Sequence, residues 1–145
     1  MAAHCRIIDA AIEPEEAVKA VSGPDRGAIA TFAGVVRNHH AGRPVERLEY
    51  HAYEAMAERV LHDVALEAQG RFGALHVAIL HRVGSLAIGD ISVFVAVASA
   101  HRREALAACS FIIDRIKAAA PIWKKEFYAE GAVWIEGPDG CREGR

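Results

Sequence analysis

The run Ile91-Ser-Val-Phe-Val-Ala-Val-Ala98 constrains this chain more than any other stretch. A strand sends successive side chains to opposite faces, so both alternate sets here are apolar apart from Ser92. Such a strand must be central and covered on both faces. Covering it takes a domain with a substantial core. The chain has 145 residues, 52% of them hydrophobic and 25% charged, which is enough for one soluble globular domain with such a core. The same strand hands over to a helix from about Arg102 to Ala119, with Leu106, Cys109, Ile113 and Ile116 expected on its buried stripe.

The rest of the chain reads as mixed elements without strict alternation. Pro14 followed by Glu15 and Glu16 opens a short helix, with acids near the positive dipole end. Gly27 to Val36 is a β-rich apolar run, and Arg37 to Pro44 has loop composition. In Glu46 to Tyr53, Leu48, Tyr50 and Ala52 alternate with Arg47, Glu49 and His51, as in a half-buried strand. Met56, Val60, Val64 and Ala68 recur every four residues and predict an amphipathic helix over Tyr53 to Arg71, stopped at Gly73. Leu75 to Leu80 alternates as a further strand, Gly84 to Asp90 is turn-rich, and Val133 to Glu136 can close a sheet as an edge strand. The expected class is α+β, in a single domain over 1–145 whose tail begins at about 137. The apolar strands outnumber what one small sheet covers, so a homodimer with a sheet-mediated contact is expected.

Several function classes drop out. No apolar run approaches the ~18–20 residues of a membrane span. The first residues, M-A-A-H-C-R-I-I-D, lack the layout of a secretory signal, and the expected location is the cytoplasm. Cys5, Cys109 and Cys141 show no C-x-x-C spacing, and the eight histidines no H-E-x-x-H, so neither a disulfide framework nor a metal site is expected. A net charge of −2 argues against a general nucleic-acid binder. No phosphate loop of the G-x-x-x-x-G-K-[ST] type and no G-x-S-x-G elbow is present.

Any basic cluster is therefore local, and two stand out. Ser99-Ala-His-Arg-Arg103 lies at the start of the long helix, where free N–H groups and the positive dipole end favour an anion. His101 and Arg102 would strengthen that site; arginines pointing into water are the equal alternative. The second cluster is Ala120-Pro-Ile-Trp-Lys-Lys-Glu-Phe-Tyr128. Pro121 ends the helix, which leaves Lys117 in its last turn, flanking Ile116, and Lys124 on a new segment. The two amines converge only if the chain folds back. Arg37, at the end of the first apolar run, can project from a sheet end. Residue types alone reach an anion-binding α+β domain.

Five segments in one order carry a resemblance. They are F-A-G-V-V-R-N at Phe32–Asn38, L-H-R-V-G-S-L-A-I-G-D at Leu80–Asp90, S-A-H-R at Ser99–Arg102, K-A-A-A-P-I-W-K-K-E at Lys117–Glu126, and W-I-E at Trp134–Glu136. Together they resemble the catalytic, large subunit of molybdopterin synthase over nearly all of Gly27 to Glu136. The resemblance implies an α/β-hammerhead-type fold with a mainly antiparallel sheet. It implies a sulfurtransferase that adds two sulfurs to cyclic pyranopterin monophosphate. The sulfur comes from the C-terminal Gly-Gly thiocarboxylate of a small ubiquitin-like subunit, in a heterotetramer built on a homodimer. No cofactor or metal is implied.

By the same resemblance Lys117 and Lys124 are catalytic. Arg37, His101 and Arg102 would bind the phosphate, and Lys125, Glu126 and the Val35–Val36 backbone would wall the pocket. Some relatives carry an arginine soon after the W-x-E; here Gly137-Pro138 follow, and Arg142 is the nearest candidate. The competing readings are a non-catalytic anion-binding scaffold of the same fold and a metal-dependent hydrolase that uses the histidines.

Overall fold

The computed structural model describes residues 3–129 and 131–136. The elements are β1 (Ala3–Ile8), α1 (Pro14–Val21), β2 (Ala28–Val35), β3 (His39–His40), β4 (Arg43–Pro44), β5 (Arg47–Ala52) and α2 (Glu54–Phe72). They continue with β6 (His76–Arg82), β7 (Gly84–Ala87), β8 (Ile91–Ser99), α3 (Arg102–Ala119), β9 (Ile122–Tyr128) and β10 (Gly131–Glu136). One sheet has the order β1-β6-β8-β2, a second β10-β9-β5-β7, and β3 and β4 form a small ribbon. The β1–β6 pair is parallel and the other pairs are antiparallel, which is the expected α+β class.

β8 is the interior strand its composition demands, flanked by β6 and β2. Val93, Val95 and Val97 face α2 and α3, while Phe94, Ala96 and Ala98 face α1 through Ala17 and Val21. The faces of β8 are thus covered within one chain by α1, α2 and α3, and the strands divide between two sheets rather than one. β2 remains an edge, with Ile29 at 41% and Val35 at 48% exposure.

Both long helices form where periodicity places them, but their buried stripes sit differently. Met56 and Leu106, expected inside, are exposed. Val64, Ala68, Cys109, Ile113 and Ile116 are buried as expected, joined by Ala57, Leu61, Ala65, Ala105, Ala108 and Ile112. In α2 a strict four-residue repeat drifts around a helix of 3.6 residues per turn, so its first member, Met56, leaves the seam. Alanines also carry a weak hydropathy signal, yet they let the helix backbones approach the sheet closely. α2 stops at Gly73, whose φ of 92° suits glycine and whose N–H reaches the Gln69 carbonyl at 3.0 Å.

Strands also arise where the sequence reads otherwise, among them the β3–β4 ribbon inside the segment read as loop and β9 after Pro121. Ala3–Ile8 had no assignment, and its parallel pairing with β6 is a long-range contact. The turn-rich segment begins as β7, and only Ala87–Asp90 is the turn, closed by the Asp90 carboxylate accepting the Ala87 N–H at 2.9 Å.

β6 buries one polar ring completely. His81 has 0% exposure, its Nδ1 lies 3.0 Å from the Arg82 carbonyl oxygen, and its edge meets Tyr50. Burial holds its pKa down at about 4, so the native ring stays neutral. The unfolded chain takes up a proton there near pH 6.5, which the native state resists. The resulting stability is complete above pH 6.5 and drains away as pH falls towards 4, by roughly 3 kcal/mol. Denaturant midpoints measured from pH 7.5 to 4 should fall more steeply for the wild type than for His81→Gln.

Candidate functional site

Three separate pieces of chain carry the candidate side chains of one cavity, and residues of β3 and β5 complete its lining. The first is the end of β2. Gly34 pairs with Val93 but Val35 with Ile91, so Ser92 is an extra residue that bulges the ladder. The Ser92 hydroxyl donates to the Gly34 carbonyl at 3.2 Å, and a Cβ on Gly34 would stand 2.8 Å from Val93 Cγ1. Only glycine allows this approach. Beyond the bulge, Val36 donates to the Asp90 carbonyl and accepts from the Gly89 N–H, both at 2.9 Å, and the strand delivers Arg37 off the sheet end.

The second piece is the end of α3. Ala120 takes extended backbone (ψ 134°) before Pro121, which leaves Lys117 in the last turn, where a cation complements the helix dipole. The third is β9, where the period of two turns Ile122, Lys124, Glu126 and Tyr128 to the buried face. Pairing with β5 sets Tyr50 opposite Lys124 and Leu48 opposite Glu126.

The cavity between these pieces has a volume of about 340 Å³. Val35, Val36, Arg37, Lys117, Lys124 and Glu126 all line it. The spacing of the two lysines left their convergence open; the fold brings them together. Lys124 is only 6% exposed, with Nζ 3.4 Å from Glu126 Oε2. Glu126 is 2% exposed, accepts the Tyr128 hydroxyl on Oε1, and has His40 Nδ1 3.8 Å from Oε2. A buried ammonium needs such a counter-charge. The new segment that begins after Pro121 thus carries Lys124 into the core of the second sheet.

The remaining site candidates fall elsewhere. Lys125 does not wall this cavity: next to Lys124 in a strand, it points to the opposite face, its Nζ 5.3 Å from the ring centres of both Phe127 and Trp134. His101 and Arg102 are exposed at the opposite end of α3, with His101 at its N-cap position. Arg102 and Lys117 are 15 positions apart, roughly 22 Å along a helix, so within one chain His101 and Arg102 do not share this cavity. Arg142 lies outside the described residues.

Sequence reasoning missed Ser92, Tyr50, Tyr128 and His40. Tyr50 and Tyr128 carry a usable signal, since each sits two or four positions from a cavity residue on a period-two strand. His40 carries none, because its burial depends on the β3–β4 ribbon closing over β9. Among the described residues no group of three or more His, Cys, Asp or Glu side chains is arranged to hold a metal ion. Cys5 and Cys109 are buried free thiols, pushed up to about 12 and about 11 chiefly by burial, which leaves almost no thiolate near neutral pH.

Two sheets, flanking helices and a cavity lined by lysine amines define an α+β protein whose cavity has the cations an anionic ligand needs. A family model described as MoaE protein matches residues 7–119. The chain belongs to the MoaE family, the catalytic subunits of molybdopterin synthase. Molybdopterin synthase catalytic subunit 1 of Mycobacterium tuberculosis is 41% identical over 132 residues, covering 91% of this chain and 90% of that one. The Arabidopsis thaliana catalytic subunit is 45% identical over 80% of this chain, which spans 59% of that longer protein. The crystal structure of molybdopterin synthase from Staphylococcus aureus superimposes with a TM-score of 0.87 at 38% identity, over 90% of this chain and 95% of that one.

Proposed function

We propose that this chain catalyses sulfur transfer to cyclic pyranopterin monophosphate, making the dithiolene of molybdopterin in molybdenum cofactor biosynthesis. The sulfur is drawn from the C-terminal Gly-Gly thiocarboxylate of a small ubiquitin-like subunit. The carrying observation is the convergence of Lys117 and Lys124, from either side of the Pro121 break, on a cavity with Arg37 at its wall.

Arg37 offers a bidentate fork for the phosphate. Lys117 meets the thiocarboxylate and stabilises charge as sulfur leaves the carbonyl carbon. Lys124 contacts the pterin and moves a proton, with Glu126 holding its ammonium in place. The Val35–Val36 backbone, turned outward by the bulge, flanks the entering tail. The sulfur needs no cysteine of this chain, in keeping with thiols that burial keeps protonated. The reaction belongs to the cytoplasm, with no membrane and no nucleic acid involved.

His101 and Arg102 join the site through a second copy. β2 runs from Ala28, paired to Ser99 beside the start of α3, to Val35 at the cavity, and it is a sheet edge with apolar side chains exposed. An antiparallel two-fold contact along β2 sets the partner's α3 start beside this cavity. Ile29→Asp on that edge should then yield monomers by sedimentation and cut transfer at least tenfold, with Lys117 and Lys124 untouched. A monomer with wild-type turnover removes the second copy from the site.

The direct test incubates the purified protein with the cyclic pterin and a thiocarboxylated small subunit. Molybdopterin formed in proportion to thiocarboxylate consumed is the expected result. Binding of both with no product would favour the scaffold reading.

A further inference from the structure

Arg37 is the cation of the cavity wall assigned above to the phosphate, and its head is held by nothing. Among the described residues no hydrogen bond, ion pair or ring contact reaches its guanidinium. A long side chain without partners is placed by its backbone alone. That backbone is bracketed. Before it, the Val36 N–H donates to the Asp90 carbonyl and the Val36 carbonyl accepts the Gly89 N–H, both at 2.9 Å. After it, the Asn38 carbonyl accepts the Val45 N–H at 2.8 Å.

The Val36 anchor depends on a turn that lies outside the cavity. Gly89 holds a φ of 92°, which suits glycine, and Asp90 closes the turn twice. Its N–H donates to the Ala87 carbonyl at 3.0 Å, and its carboxylate oxygen Oδ2 accepts the Ala87 N–H at 2.9 Å. The same oxygen lies 3.3 Å from Arg82 Nη1, at the end of β6. Neither Asp90 nor Arg82 lines the cavity.

We propose that Asp90 is a positioning residue for Arg37: by closing the Ala87–Asp90 turn it fixes the Val36 backbone, and through it the direction in which the guanidinium enters the cavity. The bond from the Ala87 N–H is the working contact. The ion pair with Arg82 is longer, and the Asp90 side chain is 38% exposed, where a charge pair contributes little. Without the carboxylate the turn loosens, the Gly89 and Asp90 backbone groups let go of Val36, and the ligand itself must order Arg37 at a cost in affinity.

The inference takes its ligand from the sulfur-transfer reading, and its test has an arm that needs no ligand. The first arm titrates cyclic pyranopterin monophosphate into the purified protein by calorimetry, without the small subunit. Asp90→Ala should weaken binding about tenfold, and Asp90→Asn, which keeps an acceptor for the Ala87 N–H, less than about twofold. Arg37→Ala weakens binding by itself, and adding Asp90→Ala to it should change nothing further, because the group that Asp90 aims is gone. A residue that only supported the fold would cost as much in either background. In the second arm, amide hydrogen exchange in Asp90→Ala should be at least about tenfold faster at Val36 and Gly89, with Val95 and Val97 of β8 at the wild-type rate. Unchanged pterin affinity in Asp90→Ala, an equal loss with and without Arg37, Asp90→Asn as weak as Asp90→Ala, or unchanged exchange at Val36 overturns the positioning role. A wild type that binds no cyclic pterin overturns the transferase reading instead, and exchange at Val36 then decides whether Asp90 holds the Arg37 backbone.

Discussion

Replacing Lys117 or Lys124 by alanine is expected to lower sulfur transfer by about 10²–10³-fold, the usual effect of removing an electrostatic donor or a proton-transfer group from an active site. The two variants should differ in stability. Lys117 sits in the last turn of α3 and is half-buried, so Lys117→Ala loses at most a favourable helix-end charge, about 0.3–1 kcal/mol. Lys124 is in the core of the second sheet and pairs with a buried carboxylate, so Lys124→Ala lowers the unfolding midpoint as well. Lys124→Arg keeps the charge yet should not restore transfer, because a guanidinium gives up no proton near neutral pH. Product formation by each purified variant, with denaturant midpoints alongside, checks both effects. If Lys117→Ala and Lys124→Ala each turn over at the wild-type rate, the amines have no part in the chemistry.

Glu126→Leu is expected to produce the largest loss of stability of any single substitution in the site, about 3–5 kcal/mol, because it removes the buried carboxylate that stands beside the Lys124 ammonium. The Tyr128 hydroxyl loses its acceptor in the same stroke. Lys124→Met strands the carboxylate in turn, but that variant recovers as pH falls, since a carboxyl can take a proton and become neutral. The double variant Lys124→Met, Glu126→Leu should recover much of the loss, because an apolar pair replaces the two charges together. Chemical unfolding of the four proteins completes a double-mutant cycle. A coupling below about 0.5 kcal/mol would mean that Lys124 and Glu126 do not depend on each other.

The site was only partly legible. Lys117, Lys124, Glu126, Arg37 and the Val35–Val36 segment, singled out from the sequence, all line one cavity. Lys125 entered the pocket wall through the resemblance, whereas a strand sends it to the face opposite Lys124. His40 could not be read at all, since nothing local distinguishes it from the exposed His39.

What the sequence by itself determined is local and periodic. The doubly apolar Ile91–Ala98 run required an interior strand, Pro121 and Gly73 required helix ends, and the residue types at Lys117 and Lys124 supplied the amines. These follow from pleat, helix repeat and backbone sterics, which act over a few residues. Only the tertiary structure decided which helix face was buried, because Met56 and Leu106 yield to alanines where backbones must pack closely. It alone paired Ala3–Ile8 with β6 and split the strands into two sheets. It also set Tyr50 opposite Lys124, and so placed a buried carboxylate between Lys124 and His40. Pairings across such separations depend on register and on the closure of the whole core, and no short stretch of chain carries that information.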